Sequence, residues 1–356
     1  MNAPAPASTP GTKASTKATA KPATLSHRLE YIGTRIAVFG LGLLGWRGAS
    51  WVGGLIGRLV YRPIGIRAGV VERQIAAAFP EFSRERVVEV SRRSYDSLGR
   101  TSIETAVLPG TSSQDVRDRV ERVEGWELVE AAMAKGNGLL IVTGHIGNWE
   151  FGGAYFAARG IPIDVVTRGM ANPIFDAYLN RTRREIGMEV IHDKDAVRRT
   201  PRSLRENHAI AFVSDHDALG LASTFVPFFG RPAKTPRGPA VFSLRFDVPT
   251  VFVGVLRQRS GRYAILIEPV EVERTGDRET DGARLTGHTT TVENGLDVVL
   301  AERVGQRERL LNRGHERRAR EVLPQRTAVH IPLAGTRRHV HAAYRTLSTT
   351  DGLNLL

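Results

Sequence analysis

Residues 141–153 read IVTGHIGNWEFGG and join an apolar run to a histidine and a glutamate. The run that begins at 139 predicts a buried strand that ends at Thr143-Gly144, and the residues that follow predict a helix. In open α/β sheets the functional groups lie at the carboxyl ends of the strands. His145 stands just past such an end, so the stretch predicts an α/β fold with a functional site at this histidine.

The sequence on either side alternates in the same way. β-rich runs at 163–167, 188–192 and 209–214 are separated by helical patterns at 149–159 and 173–186 and by a short helix after Thr200-Pro201. Two further strands are predicted at 248–255 and 262–268. Alternation of this kind is typical of a central, largely parallel sheet flanked by helices.

Upstream of the sheet, residues 66–108 predict helices with a break at Pro80. Ser112 or Ser113 is a candidate cap for another helix, which would carry Val116, Val120 and Val123. We expect a disordered basic arm at 1–25, a membrane-associated helical segment at 26–66, the main domain at 67–325 and a tail of unknown structure at 326–356. Within the main domain, residues 291–320 predict one more helix and a very basic stretch.

The apolar run at 36–46 is about half of what spanning a bilayer needs, and Arg47 interrupts it. Three interpretations stay open: a helix lying in the membrane interface, a spanning helix and a buried helical hairpin. We favour the interfacial helix, in which Trp46 and Trp51 would lie at headgroup depth and Arg47 and Arg58 would extend toward water.

The amino-acid composition limits the kinds of catalytic and metal-binding chemistry that the chain can support. The 356 residues include no cysteine, which excludes disulfides, thiolate nucleophiles and cysteine-based metal sites. The formal net charge is +13, which favours anionic partners such as a membrane surface or a phosphorylated substrate. No basic patch interleaved with aromatic residues supports nucleic-acid binding, which we do not expect.

His145 and Glu150 are the candidate catalytic residues. If a helix follows His145, Glu150 lies about one turn along it, where its carboxylate can reach one imidazole nitrogen while the other acts as a general base. A purely structural histidine is the competing interpretation. The triplet Asp215-His216-Asp217 could suggest a metal site. Neighbouring residues on an extended chain point to opposite faces, so the three side chains cannot easily bind one ion, and we expect no metal.

Several blocks resemble a known family in order and spacing: GHIGNWE, VVTRGMANPIFD (165–176), FVSDHD (212–217), VPFFGRPAKTPRG (226–238) and VPTVFVGVLRQRSGRYAILIEP (248–269). They resemble the lysophospholipid-acyltransferase-like superfamily, and more narrowly the secondary lipid A acyltransferases of the lauroyl/myristoyl type. The acyltransferases of phosphatidylinositol mannosides are close by. The resemblance covers about residues 30–320 and departs from the family pattern at His216, at 246–248 and in the tryptophan-free stretch 310–320.

The resemblance implies an O-acyltransferase with a His-x4-Glu motif. His145 would take a proton from a hydroxyl of a membrane glycolipid precursor of the lipid A type, and Glu150 would orient the ring. The acyl donor would be an acyl carrier protein or coenzyme A thioester, with no further cofactor and no covalent acyl-enzyme. Such an enzyme would act at the cytoplasmic side of the bacterial inner membrane.

Six further residues are candidates for substrate binding. Arg168 follows the second strand of the unit and is a candidate for the oxyanion or a phosphate of the acceptor, and Asn172 is expected to cap the helix that starts at Pro173. Asp215 follows another strand and would orient the acceptor or hold a loop. A predicted phosphate site combines Thr235, as the cap of a helix starting at Pro236, with Arg237 and Gly238.

Two alternatives stay open. One is an acyl-CoA-dependent acyltransferase of phosphatidylinositol mannosides or another glycolipid. The other is a catalytically silent lipid-binding protein on the same scaffold, which would bind lipid without His145.

Overall fold

A computed structural model describes residues 24–215, 222–271 and 275–290 of the chain. Residues 1–23 of the predicted disordered arm, the helix predicted at 291–320 and the tail at 326–356 lie outside the described residues, as do His216 and Asp217. The boundaries of the four predicted segments stay predictions.

The centre of the fold is a seven-stranded sheet with the order β1-β9-β8-β2-β5-β3-β4. Its strands are β1 (Val120–Glu124), β2 (Leu139–Thr143), β3 (Ile163–Thr167), β4 (Met188–His192), β5 (Ala209–Val213), β8 (Thr250–Arg257) and β9 (Tyr263–Pro269). β8 and β9 pair in antiparallel fashion, and the other neighbours are parallel. The prediction of an α/β fold with a largely parallel sheet is confirmed.

Helices cover both faces of this sheet. They are α1 (Leu25–Gly42), α2 (Gly45–Leu59), α3 (Ala68–Ala78), α4 (Arg84–Val107), α5 (Ser113–Asp118), α6 (Trp126–Ala134), α7 (Trp149–Ala158), α8 (Pro173–Glu185), α9 (Ala196–Arg205) and α10 (Gly238–Phe246). Side chains of β2 alternate between the faces: Leu139 and Ile141 pack in the larger core with α7, and Leu140 packs in a smaller core with α9 and α10. This layering leaves the carboxyl ends of the parallel strands free to carry functional groups.

Two local predictions were wrong. The helix after Ser112 ends at Asp118, and residues 120–124 form β1, because Val120 and Val123 belong to a strand that pairs with β9. Helix α9 begins at Ala196 and contains Pro201 instead of starting after it. The apolar residues around 225–229 lie in and beside a hairpin of β6 (Ser223–Phe228) and β7 (Arg231–Pro236).

The N-terminal apolar segment is divided between α1 and α2. On α1, the exposed side chains of Leu29, Ile32, Ile36 and Phe39 recur at helical spacing, and the helix buries none of its residues. Trp51 on α2 is exposed, whereas Trp46 is partly buried against Phe151 and Tyr263 of the main domain. The headgroup depth of the two tryptophans stays a prediction. Within the described residues, none of the helices combines the length and the apolar character that crossing a bilayer requires.

Helix α2 packs unusually close to α4 because both helices carry glycine at their contact. A Cβ atom added to Gly57 would lie 1.9 Å from the carbonyl oxygen of Tyr95, and one added to Gly99 would lie 2.2 Å from that of Gly53. These distances are too short for any side chain, so the two backbones must be in direct contact. The contact ties the N-terminal segment to the domain that carries the sheet.

We expect Gly57→Ala to lower the free energy of unfolding by about 1–3 kcal/mol, because the added methyl group forces α2 away from α4. Urea denaturation of the purified protein measures the change. Gly40→Ala is the matched control, since Gly40 is also helical but has no atom within 4 Å of an added Cβ. It should raise stability by up to about 1 kcal/mol through helix propensity alone. Equal effects of the two substitutions would contradict the close packing.

Candidate functional site

His145 and Asp215 meet at the carboxyl edge of the sheet. β2 and β5 are parallel neighbours, and Thr143 is the register partner of Val213. His145 and Asp215 each lie two residues beyond that last pair, so the two strands deliver them side by side. The prediction that His145 follows the end of a buried strand is confirmed.

Asp215 holds the imidazole ring of His145. Its Oδ1 lies 2.7 Å from Nδ1 of the ring, and its Oδ2 accepts a hydrogen bond of 2.6 Å from the backbone N–H of His145. The hydrogen bond to Asp215 raises the pKa of the imidazole above its ordinary value; burial opposes the rise, and the charges of Asp215 and Glu150 add to it. The ring also meets the edge of Trp149.

The carboxylate of Asp215 is charged in this pair. Its burial by itself raises the pKa of the carboxyl, but the hydrogen bonds and charge of His145 outweigh burial and hold that pKa below its usual value. The His145 side chain is 51% exposed, whereas that of Asp215 is 16% exposed. The ring is therefore fixed from behind and open to solvent in front, which is what a proton acceptor needs.

Glu150 has a different partner from the one predicted. It lies in the first turn of α7, where both of its carboxylate oxygens accept hydrogen bonds from the guanidinium of Arg183 on α8. The sequence predicted that the carboxylate of Glu150 contacts the imidazole of His145 and orients it. The structure corrects this prediction, because the carboxylate at Nδ1 of the ring is that of Asp215. Glu150 acts on His145 through its charge and fastens α7 to α8.

The turn between β2 and α7 is shaped by Gly147 and Asn148. Gly147 has a φ of +62°, and a Cβ there would lie 1.7 Å from the carbonyl oxygen of Val255, so only glycine fits. Asn148 caps α7 by accepting a hydrogen bond from the backbone N–H of Phe151, and its own N–H donates to Val255. The turn that carries His145 is thus fixed to β8.

A buried network around Glu104 lies beneath this turn. The side chain of Glu104 is fully buried and forms a two-bonded ion pair with Arg257, which is 6% exposed. Its oxygens also accept hydrogen bonds of 2.6 Å from Ser50, 2.9 Å from Asn148 and 2.5 Å from Tyr263. Burial raises the pKa of the Tyr263 phenol, so it stays protonated and donates to Glu104.

This network connects α2, α4, the histidine turn and the β8–β9 pair. Thr101 on α4 donates a hydrogen bond of 2.8 Å to the carbonyl oxygen of Gly147 and accepts one from Arg257. Because a buried carboxylate is stable only when it is paired and hydrogen-bonded, the elements around Glu104 are held in one arrangement. Asn148, three residues after His145, is part of that arrangement.

Arg168 and Asn172 differ in how they fit their predicted roles. Arg168 follows β3, which brings it to the same edge as His145, and its side chain is exposed. Asn172 caps α8 as predicted and donates a hydrogen bond of 2.8 Å to Glu30 of α1. Its amide therefore joins two helices, and a contact with substrate stays a prediction.

The predicted cap at Thr235 was wrong. Thr235 lies in β7, where its hydroxyl is close to the carbonyl oxygen of Ala233, and α10 begins at Gly238 with Arg237 at the N-cap position. Two prolines in β7 do not prevent the strand because it lies in a two-stranded hairpin. Nε of Arg237 is buried and has no hydrogen-bond partner among the described residues. Arg237 and Gly238 remain candidates for binding a phosphate.

The comparisons with known proteins agree with this architecture. The family model described as bacterial lipid A biosynthesis acyltransferase matches residues 20–289. A phosphatidylinositol mannoside acyltransferase of Mycobacterium tuberculosis is 28% identical over 153 residues, which cover 41% of this chain and 48% of the relative. A lipid A biosynthesis lauroyltransferase of Escherichia coli is 26% identical over 174 residues, which cover 49% of this chain and 56% of the relative.

A lipid A biosynthesis palmitoleoyltransferase of Escherichia coli is 24% identical over 240 residues, which cover 65% of this chain and 77% of the relative. The match thus spans about half the length of the mannoside acyltransferase and the lauroyltransferase, and about three quarters of the palmitoleoyltransferase. The family model covers well over half of the chain, from before α1 to the helical residues 278–290. The chain belongs to the bacterial lipid A biosynthesis acyltransferase family.

Proposed function

We propose that this protein is an O-acyltransferase that moves a fatty acyl chain from an acyl thioester to a hydroxyl group of a membrane glycolipid of the lipid A type. The observation that carries the proposal is the ring of His145, held at Nδ1 by Asp215 and open to solvent at the sheet edge. Family membership narrows the reaction to acyl transfer, because the same pair could serve other general-base reactions.

In the proposed reaction, His145 accepts the hydroxyl proton of the acceptor at Nε2. The acceptor oxygen attacks the thioester carbonyl, the carbon–sulfur bond of the tetrahedral intermediate breaks, and the imidazolium returns its proton to the leaving thiolate. Asp215 accepts the Nδ1–H hydrogen bond throughout and stabilises the imidazolium. The acyl group passes directly to the acceptor, so no protein nucleophile and no cofactor take part.

Two cationic groups at the same edge support this chemistry. Arg168 would stabilise the oxyanion of the tetrahedral intermediate or bind a phosphate of the acceptor, and Arg237 with Gly238 would bind a phosphate at the start of α10. A preorganised donor aimed at an oxyanion is worth roughly 100- to 1,000-fold in rate. The ion pair of Glu150 with Arg183 keeps a negative charge near His145 and favours the imidazolium.

The exposed apolar faces of α1 and α2 support binding to the membrane interface. Leu29, Ile36 and Phe39 on α1 and Trp51 and Leu59 on α2 are large, apolar and open to solvent. Contiguous exposed apolar surface of this kind marks a membrane or protein contact, and the net charge of +13 favours an anionic surface. We place the enzyme on the cytoplasmic side of the inner membrane, where acyl carrier protein and coenzyme A thioesters are made.

Incubation of the purified protein with defined donors and acceptors tests the proposal. Acyl carrier protein and coenzyme A thioesters would each be offered with a lipid A precursor or with a phosphatidylinositol mannoside, and mass spectrometry would detect one added acyl chain. Transfer to the mannoside alone would favour the second acceptor, a choice motivated by the similarity to the mycobacterial enzyme. Lipid binding without transfer in every combination would contradict acyl transfer.

The pH dependence of the rate tests the pair of His145 and Asp215. The neutral ring is the proton acceptor, so the rate should rise with pH as the imidazolium loses its proton. Because Asp215 raises the pKa of the ring, the midpoint should lie above the ordinary value of about 6.5. Asp215→Asn should move the midpoint to lower pH and lower the plateau rate by up to about 10⁴-fold.

Glu150→Gln is the matched control for this measurement. Glu150 contributes its charge but not the Nδ1 hydrogen bond, so its removal should shift the midpoint in the same direction by a smaller amount. A midpoint that stays unchanged in Asp215→Asn would rule out the pair as the unit that titrates.

A further inference from the structure

A concave site that His145 does not line lies between α2, α4 and the turn that joins β8 to β9. It has a volume of about 390 Å³, and seven of its thirteen lining residues are arginines. We call it the arginine cleft. Arg58 comes from α2, Arg92, Arg93 and Arg100 come from α4, and Arg257 comes from the end of β8. The other two are Arg47 on α2 and Arg259 in the turn.

Asp96, which lines the cleft, and two carboxylates outside its lining neutralise only part of this charge. Asp96 pairs with Arg58 at 2.8 Å and with Arg100 at 2.6 Å. Glu89 pairs with Arg92 and Arg93, Glu104 pairs with Arg257, and Arg47 donates to the carbonyl oxygen of Ser260. The six lining arginines other than Arg259 have only three carboxylates among these partners, namely Asp96, Glu89 and Glu104. The difference is a surplus of three positive charges.

Three buried polar atoms of the cleft residues have no hydrogen-bond partner among the described residues. They are Nη1 of Arg257, Nε1 of Trp46 and Oε1 of Gln258, and Arg257 and Gln258 are 6% and 4% exposed. Buried polar groups are nearly always paired, so these cleft residues carry hydrogen-bonding groups that the described residues leave unsatisfied. Two donors beside surplus positive charge suit phosphate oxygens, and the amide oxygen suits a neighbouring hydroxyl group.

The cleft borders the exposed apolar face of the N-terminal helices. Trp51 lines it and is exposed, and Leu55 and Leu59 continue the same face of α2 at helical spacing. Tryptophan side chains are enriched at the depth of the lipid headgroups, and basic pockets at that depth bind anionic headgroups. A phosphate attached to a membrane lipid would reach the arginines while its acyl chains lie along α2.

We propose that the arginine cleft binds the phosphate of an anionic lipid headgroup. The site shares Arg257 with the network beneath the histidine turn: two nitrogens of its guanidinium engage Glu104, and the third has no hydrogen-bond partner among the described residues. The proposal goes beyond the acyl-transfer reaction and does not depend on His145. Its ligand is a lipid bound where the enzyme meets the membrane, separate from the hydroxyl that is acylated.

The test compares two pairs of substitutions that remove the same charge. Arg47→Gln with Arg92→Gln alters the cleft and leaves the buried Arg257 intact. Arg198→Gln with Arg202→Gln is the matched control, because these side chains on α9 are 80% and 76% exposed and their charged partners are close in sequence. Thermal unfolding by circular dichroism would verify that both double variants fold.

Binding is measured by cosedimentation with phosphatidylcholine vesicles that contain or lack phosphatidic acid, and by calorimetry with soluble short-chain phosphatidic acid. We expect the cleft variant to lose at least about tenfold in affinity for the phosphatidic acid vesicles and for the short-chain lipid. The control should lose less than about twofold. No acyl donor is present, so a failed result here is distinct from a failure of acyl transfer.

Two outcomes would overturn the proposal. Equal losses in the two double variants would mean that membrane binding depends on net charge and not on the cleft. Inorganic phosphate that binds the cleft as tightly as the short-chain lipid would identify a site for free phosphate and not for a lipid headgroup.

Discussion

His145→Gln is expected to lower the rate of acyl transfer by about 10²- to 10⁴-fold, the range that a general base contributes. The substitution keeps a polar side chain of similar size but removes the group that accepts the hydroxyl proton. Because the half-exposed ring is hydrogen-bonded to the Asp215 carboxylate, its loss should lower the free energy of unfolding by at most about 1.5–3 kcal/mol. Rates with a saturating thioester donor and urea denaturation measure the two effects.

The fold supplies a matched control for this substitution. His208 directly precedes β5, at the opposite edge of the sheet, and its Nδ1 lies 2.8 Å from Oδ1 of the buried Asp164. His208→Gln removes the imidazole of a second His–Asp pair with a similar Nδ1–Oδ1 distance. It should leave the rate of transfer within about twofold of the parent rate, since that pair is far along the strand from the carboxyl edge. Full activity of His145→Gln would remove the basis of the proposed reaction.

The second large effect is expected in stability. Glu104→Gln should lower the free energy of unfolding by about 3–5 kcal/mol, because it leaves the buried guanidinium of Arg257 without its counter-charge. The amide also replaces a carboxylate oxygen with a donor that faces the donors from Ser50, Asn148, Arg257 and Tyr263. Urea denaturation monitored by circular dichroism measures the loss.

Glu85→Gln is the matched control on the same helix. Glu85 lies in the first turn of α4 and is exposed, so its substitution removes a favourable interaction with the helix N-terminus worth at most about 1 kcal/mol. If Glu104→Gln unfolds at the same urea concentration as Glu85→Gln, the ion pair with Arg257 does not stabilise the fold. Reduced transfer by folded Glu104→Gln would further indicate that the network positions the turn of His145.

The position of His145 at the sheet edge could be predicted from the sequence, because local residue patterns mark where a strand ends. The apolar run before Thr143 and the turn residues after it are enough to place His145 beyond a strand. The partner of its ring could not be predicted in the same way, because it depends on which strand lies next to β2. Asp215 also follows a strand end, and that shared position is the signal that would have linked the two residues once the sheet order was known.

Glu104 shows a different limit of sequence reasoning. On α4 it is one of several charged residues, and such residues are usually solvated. Its burial depends on Ser50, Asn148, Arg257 and Tyr263, which come from four other parts of the chain. Strand β1 was missed for a related reason: Val116, Val120 and Val123 recur at helical spacing, and only the pairing with β9 reveals the strand.

The glycine contact between α2 and α4 would have a mechanical consequence for an enzyme at a lipid surface, which is the role proposed here. Backbones in direct contact cannot slide past each other by side-chain rearrangement, so α2 and α4 move as one rigid body. Trp51 and Thr101, which holds the carbonyl of Gly147, both belong to this body, and the neighbouring Ser50 and Glu104 are hydrogen-bonded to each other. If α2 lies among the headgroups as proposed, its depth would set the height of the His145 imidazole above the bilayer.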